Sequence, residues 1–303
     1  RLDTHGAVNL ILKDGSHLTA EWGVNVKEGD TFTVYAQSTG EDTMGKLTAC
    51  LPEDFNSDGS VDYVVWPDDG LSGIGGGVRW KKANNAIYES EGTIVINGGN
   101  IRARGQDRAS AIGGTFQDHA GVDSSGYSSE KRLGGSITIN GGIVRTEAIT
   151  RGNAIYAFSV GIGSCCSGYG GSVTINGGTV IAKAANSAIS TGWDGSITIN
   201  GGTVTATGGI NNFADGKDAL ILGNGIGPYW NGTVTVNGGK IKASTAGQGS
   251  GIGGSRSKTE VIINGGEIEA AADQNGTGQY GGETISAAGI GGVGSVSITD
   301  GRI

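Results

Sequence analysis

Proline is scarce in this 303-residue chain, at three residues, and so is cysteine, also at three. So few prolines beside 61 glycines exclude a collagen-like or proline-rich chain, which needs both together. Cys50, Cys165 and Cys166 leave one odd thiol, so a disulfide scaffold is excluded by count, and the adjacent pair reads as reduced surface thiols. Long apolar runs are missing as well. None approaches the ~20 residues that span a bilayer, so no membrane insertion is expected. Basic residues are outnumbered, 21 Lys and Arg against 29 Asp and Glu, for a formal net charge of −8. Phosphate binding needs a net basic surface, so nucleic acid is not an expected partner. A 3.6-residue apolar period is absent throughout, which rules out an α-solenoid. Charged residues make up only 17%, and Ile, Val, Leu and Ala supply a core, so the chain is not disordered.

What the chain does contain is one phrase, repeated. SITINGGTVTA at 196–206 has close copies at 93–103, 136–146, 172–182, 233–243 and 260–270, and a seventh begins at Ser295 and breaks off at Ile303. The asparagine recurs at Asn97, Asn140, Asn176, Asn200, Asn237 and Asn264, with Asp300 read in the seventh place. The unit is fixed while its spacing varies, as in a coil whose turns differ only in their loops. Within the unit the pattern has period two. Ile197 and Ile199 point inward before Asn200-Gly201-Gly202, and Val204 and Ala206 after it. The paired glycines are expected to supply the positive φ of a sharp corner between two strands.

A third piece closes most units: AIGG at 111–114, GIGS at 161–164, SGIGG at 250–254 and AGIGG at 288–292. The N-terminal third follows the same template in degenerate form. VNLILKDG (8–15), SHLTA (16–20) and GVNV (23–26) make one coil; TFTVYAQS (31–38), GKLTA (45–49) and LSGIGG (71–76) make another. Three short strands per unit around one apolar interior predict an all-β fold, a single-stranded parallel β-helix of about eight to nine coils. Parallel crossovers favour the right hand, and a ~4.8 Å rise per coil gives a rod of roughly 40 Å. We read 1–303 as one β-helix domain. Its degenerate N-terminal coils occupy 1–78, with an insert at 50–70, and its INGG coils occupy 93–303. A start at Arg1 and a stop inside a repeat read as a fragment of a longer protein with further domains.

These GxITINGGTVTA…GIGG units resemble the Gly-rich repeats of right-handed parallel β-helix proteins that anaerobic bacteria secrete or display on their surface. That group is similar to the pectate-lyase-like superfamily, whose members bind or cleave polysaccharides. The resemblance implies an extracellular or cell-surface location and a glycan partner, and it extends to adhesins without catalysis. No catalytic motif of a lyase or hydrolase family matches residue by residue.

Several groups are candidates for chemistry. The INGG asparagines read as a structural amide ladder. The outward threonines of the first strand read as cross-strand pairing, since only Thr203 and Thr205 make the TxT pair of ice-binding helices. The second strand's outward face presents Asn100, Arg102, Arg104, Arg145, Lys183, Lys240 and Lys242 before turning acidic at Glu267 and Glu269. Such a basic stripe suits uronate or sulfate groups, with Arg as a bidentate partner. Asp54, Asn56, Asp58, Ser60 and Asp62 resemble the D-x-[DN]-x-D-G-x-[IV]-D calcium loop, with alternate oxygens around a glycine bend. Val65 replaces its usual acidic twelfth residue, and Asp68 or Asp69 is the candidate to complete the shell of a Ca2+ that pins the insert. The 105–135 insert carries Asp118, His119 and Asp123, the acid–base candidates should the protein be a hydrolase or lyase. Aromatics make up 6%, and Trp66, Trp80, Trp193, Tyr229 and Trp230 lie off the inward positions, as sugar-stacking platforms do. Taken together, the residues favour a non-catalytic carbohydrate-binding module that uses Trp193, Trp230 and the Arg/Lys stripe. A polysaccharide-degrading enzyme is the second expectation and a structural or adhesin stalk the third.

Overall fold

The computed structural model describes residues 1–49, 72–76, 78–81, 85–88, 90–106, 109–114, 132–149, 159–164, 168–210, 223–272, 277–280, 283–286 and 288–303. Short strands, rich in β-branched residues and separated by glycine corners, assemble into three parallel sheets. Sheet A is built from the first strand of each unit, from Ala7–Leu12 through Thr93–Ile96, Ser136–Ile139 and Ser172–Ile175 to Trp193–Ile199, Trp230–Val236, Ile252–Ile263 and Ile290–Ile298. Sheet B takes the second strands, from His17–Ala20 to Glu267–Ala272. Sheet C takes the short third pieces, including Val24–Asn25, Ile74–Gly75, Ser110–Gly113, Val160–Gly163 and Ser187–Ser190. Every unit visits A, B and C in turn, so the chain is an all-β parallel β-helix.

Register makes the core a set of columns. Ile94, Ile137, Val173, Ile197 and Val234 stack in sheet A, and Ile101, Val144, Val180, Val204 and Ile241 in sheet B. Sheet C contributes Val24, Ile74, Ile112, Ile162 and Ile189, then continues through single bridges at Ile226 to Ile252. All of these are buried. A second inward column of sheet B is alanine, at Ala103, Ala182, Ala206 and Ala243, and Thr146 replaces one of them, its buried hydroxyl unpaired. Each fully buried branched side chain contributes about 1.5–3 kcal/mol, so each coil adds a similar increment to the stack.

The corner between sheets A and B departs in detail from the expectation of two positive-φ glycines. Only the second glycine is left-handed, as at Gly142 (φ 82), Gly178 (φ 83) and Gly202 (φ 86). The first is needed for space: a Cβ at Gly201 would lie 3.1 Å from the carbonyl oxygen of Asn176 in the coil below. The amide ladder is present. Each asparagine Nδ2 donates to the Oδ1 of the preceding rung, at 2.7 Å from Asn140 to Asn97, Asn176 to Asn140, Asn200 to Asn176 and Asn237 to Asn200, and at 2.8 Å from Asn264 to Asn237. The seventh place is Thr299 and not Asp300. Ile298 pairs with Ile263, and the Thr299 hydroxyl donates to Asn264 Oδ1 at 3.2 Å. Asp300 instead caps the N–H of its neighbour Gly301.

Among the described residues, two antiparallel hairpins interrupt the parallel pattern, Val78–Lys81 with Asn85–Tyr88 and Thr277–Tyr280 with Glu283–Ser286. They fall in the inserts between units, where no period-two signal repeats.

Candidate functional site

In the INGG coils the corner between sheets A and B is uniform, so their chemical variety is confined to the other two. At the corner leading from sheet C into sheet A, three aromatic rings come into register. Tyr169 pairs with Trp193, and Trp193 with Trp230, each three residues ahead of its sheet A strand core. Their rings stack at centroid distances of 5.6 Å and 5.0 Å with interplanar angles of 26° and 25°. Spacing so close to the coil rise means that the ring faces look along the rod. Trp193 therefore has both faces covered, and the ladder turns half-buried edges to the outside.

Beside the rings the backbone takes an unusual shape. Asp194 (φ 54) and Asn231 (φ 53) are the non-glycine residues at positive φ among the described residues, and both directly follow a ladder tryptophan. In the coil of Tyr169 the same place is Gly170 (φ 66). Asn231 Nδ2 donates to Asp194 Oδ1 at 3.3 Å, on an exposed rung next to the rings. Asp and Asn tolerate this region better than other side chains, though at a cost that glycine does not incur.

Glu91 sits inside the same corner. Its carboxylate Oε2 accepts from the Gly135 N–H at 2.9 Å and from the Ser164 hydroxyl at 2.8 Å, tying three successive coils together. The residue is half-buried as a whole, but the carboxyl is turned in beneath glycines. A Cβ on Gly114 would coincide with Glu91 Oε1. Burial pushes its pKa up to about 7, against the lowering effect of the Gly135 and Ser164 hydrogen bonds. Perturbed groups of this kind gather at functional sites. No sequence signal singled out Glu91, which is one glutamate without a repeat partner.

The basic stripe on sheet B is broken by register. Arg102 stacks on Arg145, but the next rungs of that column are Ile181 and Thr205, followed by Lys242 and Glu269. Four of its cations are ion-paired: Arg104 with Glu147 at 3.0 Å, Arg145 with Glu41 at 3.0 Å, Lys240 with Glu267 at 3.6 Å, and Lys242 with Glu269 at 2.6 Å. Arg145 also donates to Asn100 Oδ1 at 3.2 Å. Arg102 and Lys183 are exposed, and no ion pair holds them among the described residues. The stripe is thus a mosaic of both signs.

The calcium-loop residues Asp54, Asn56, Asp58, Ser60 and Asp62, the acid–base candidates Asp118, His119 and Asp123, and Trp66 lie outside the described residues. Among the described residues no three His, Cys, Asp or Glu side chains gather as a metal would require, and no helix is long and apolar enough to cross a membrane.

Three parallel sheets wound from one repeating unit define a parallel β-helix repeat protein. A family model described as a beta helix repeat matches four stretches of the chain, residues 94–116, 173–193, 197–227 and 234–256. No curated protein and no solved structure matches the chain.

Proposed function

We propose that this β-helix is a non-catalytic module that binds carbohydrate outside the cell or on its surface, and that the corner of Tyr169, Trp193 and Trp230 is its contact strip. One observation carries the reading. Asp194 and Asn231 hold polar side chains at left-handed backbone positions directly beside the aromatic ladder, where Gly170 serves the same turn without strain. Strain kept next to a ring system points to use of the side chain. The half-buried ring edges offer apolar surface, while the adjacent carboxylate and amide take sugar hydroxyls, the mixture of apolar surface and few polar groups that ligand sites employ. The glycan is neutral in this reading, because Arg104, Arg145, Lys240 and Lys242 already face carboxylates. A Ca2+ held by Asp54, Asn56, Asp58, Ser60 and Asp62 would pin the insert that follows Ala49. A glycan array tests the module: binding to neutral glycans that weakens in Trp230→Ala supports it, and a blank array points to a stalk.

A polysaccharide-cleaving reading draws on a second observation. The chain enters the stretch bearing Asp118, His119 and Asp123 directly from Gly114, the glycine packed against the Glu91 carboxyl. Release of new reducing ends or unsaturated products from a polysaccharide panel would replace the binding reading with this one.

A further inference from the structure

Six rungs of the asparagine ladder are Asn-Gly-Gly sequences preceded by Ile or Val: Asn97, Asn140, Asn176, Asn200, Asn237 and Asn264. Asparagine followed by glycine is chemically fragile. The glycine nitrogen, on losing its proton to water, attacks the asparagine Cγ. The N–Cγ bond forms, the Cγ–Nδ2 bond breaks and ammonia leaves. Water then opens the succinimide at either carbonyl to give aspartate or isoaspartate, and the latter adds a methylene to the backbone. With nearly the same neighbours at all six sites, an unfolded chain would lose them at similar rates.

The fold treats them differently. To cyclise, a carboxamide must swing out of the stack so that the glycine nitrogen reaches the face of Cγ. Asn140, Asn176, Asn200 and Asn237 are each held on both sides, donating through Nδ2 and accepting at Oδ1. Asn264 donates to Asn237 and accepts the longer 3.2 Å bond from Thr299. Asn97 accepts from Asn140, and no hydrogen bond holds its own Nδ2 among the described residues. The backbone does not explain a difference, since the left-handed second glycine recurs at each site from Gly99 (φ 98) to Gly266 (φ 105). Exposure opposes the effect, because Asn97 is half-buried while the other five are exposed.

We propose that the ladder protects these asparagines from deamidation, and that Asn97, its end rung, is the modification site at which the ladder ages first. A typical net hydrogen bond shifts the released population by roughly fivefold, so Asn97 should convert about fivefold faster than the doubly held rungs.

The experiment is peptide mapping by mass spectrometry after incubation at mildly alkaline pH, folded and in denaturant, for the wild type and Asn176→Ala. The expected result is convergent rates for the six rungs in denaturant and Asn97 leading the other five in the folded protein. In Asn176→Ala, Asn140 and Asn200 each lose one ladder bond and should gain about fivefold, with Asn237 unchanged. Two results would overturn the proposal: Asn97 no faster than Asn200 in the folded wild type, or doubly held rungs converting as fast folded as unfolded. Should Asn176→Ala fail to fold, the wild-type comparison decides alone.

Discussion

Glu91 and Ser164 stand 73 residues apart in the chain, yet the Ser164 hydroxyl donates to the Glu91 carboxylate at 2.8 Å. That contact crosses two coils and holds the carboxyl in a buried corner, where burial outweighs the hydrogen bonds and gives it a pH response. A carboxyl whose folded pKa is raised to about 7 from 4.5 binds its proton more tightly when folded than when unfolded. Stability from this group is therefore full below the unfolded value and declines as pH rises through about 7. On the order of 1–2 kcal/mol, discounted for partial solvent access, should be lost between pH 5 and pH 8. Glu91→Gln keeps an acceptor for Gly135 and Ser164 without the charge, so its unfolding midpoint relative to wild type should rise with pH. Parallel wild-type and variant curves would remove Glu91 from the account.

Close stacking in sheet C makes a sharper stability claim. A Cβ on Gly163 (φ 117) would lie 1.7 Å from the Ser190 carbonyl oxygen, while one on Gly170 (φ 66) would meet nothing within 4 Å. Gly170→Ala should cost about 1–2 kcal/mol, the left-handed penalty alone. Gly163→Ala must move a backbone and should exceed about 4 kcal/mol. Denaturant melts showing equal costs would contradict the stacking described for sheet C.

Charge pairing on sheet B predicts a gain of function. Lys240 and Lys242 are paired with Glu267 and Glu269. These are exposed pairs, worth about 0.2–1 kcal/mol each. The Glu267→Gln, Glu269→Gln double variant should fold as wild type and elute at higher salt from a sulfated polysaccharide column. Unchanged elution would show that these carboxylates do not mask the lysines.

For the 54–62 segment the prediction concerns the metal alone. Chelation should lower the melting temperature of the wild type, and Asp58→Asn should remove most of that sensitivity. A melting temperature indifferent to chelator would dismiss the calcium reading.

Much of the scaffold could be read from residues alone, because one coil repeats its physics. Ile197 and Ile199 alternate inward wherever the phrase recurs, and Asn200 marks the corner. Even Val24 and Leu47 in the degenerate coils fall in their columns. The reading slipped where a local match was ambiguous. Asp300 resembles a ladder asparagine by type, but counting one residue on from Ile298, which pairs with Ile263, puts Thr299 in the seat. The candidate site was legible only in part. Trp193 and Trp230 stand out as aromatics near strand starts, but their mutual stacking depends on coil lengths of 24 to 37 residues bringing them into one column. The register that breaks up the basic stripe and the fold that buries Glu91 are equally nonlocal. A signal was available for the ladder, since Tyr169, Trp193 and Trp230 all stand three residues before a sheet A strand core.

The most direct test of the proposed binding strip replaces its strained polar residues with the one residue the backbone prefers. Asp194→Gly and Asn231→Gly remove a carboxylate and an amide at positive φ, so the fold should keep or slightly raise its melting temperature. Titrating tryptophan emission with a neutral oligosaccharide that the wild type binds should then show Kd rising about tenfold in each variant, as loss of about 1.4 kcal/mol of polar contact implies. Unchanged affinity in both variants, at unchanged melting temperature, would contradict the assignment of this corner as the glycan site.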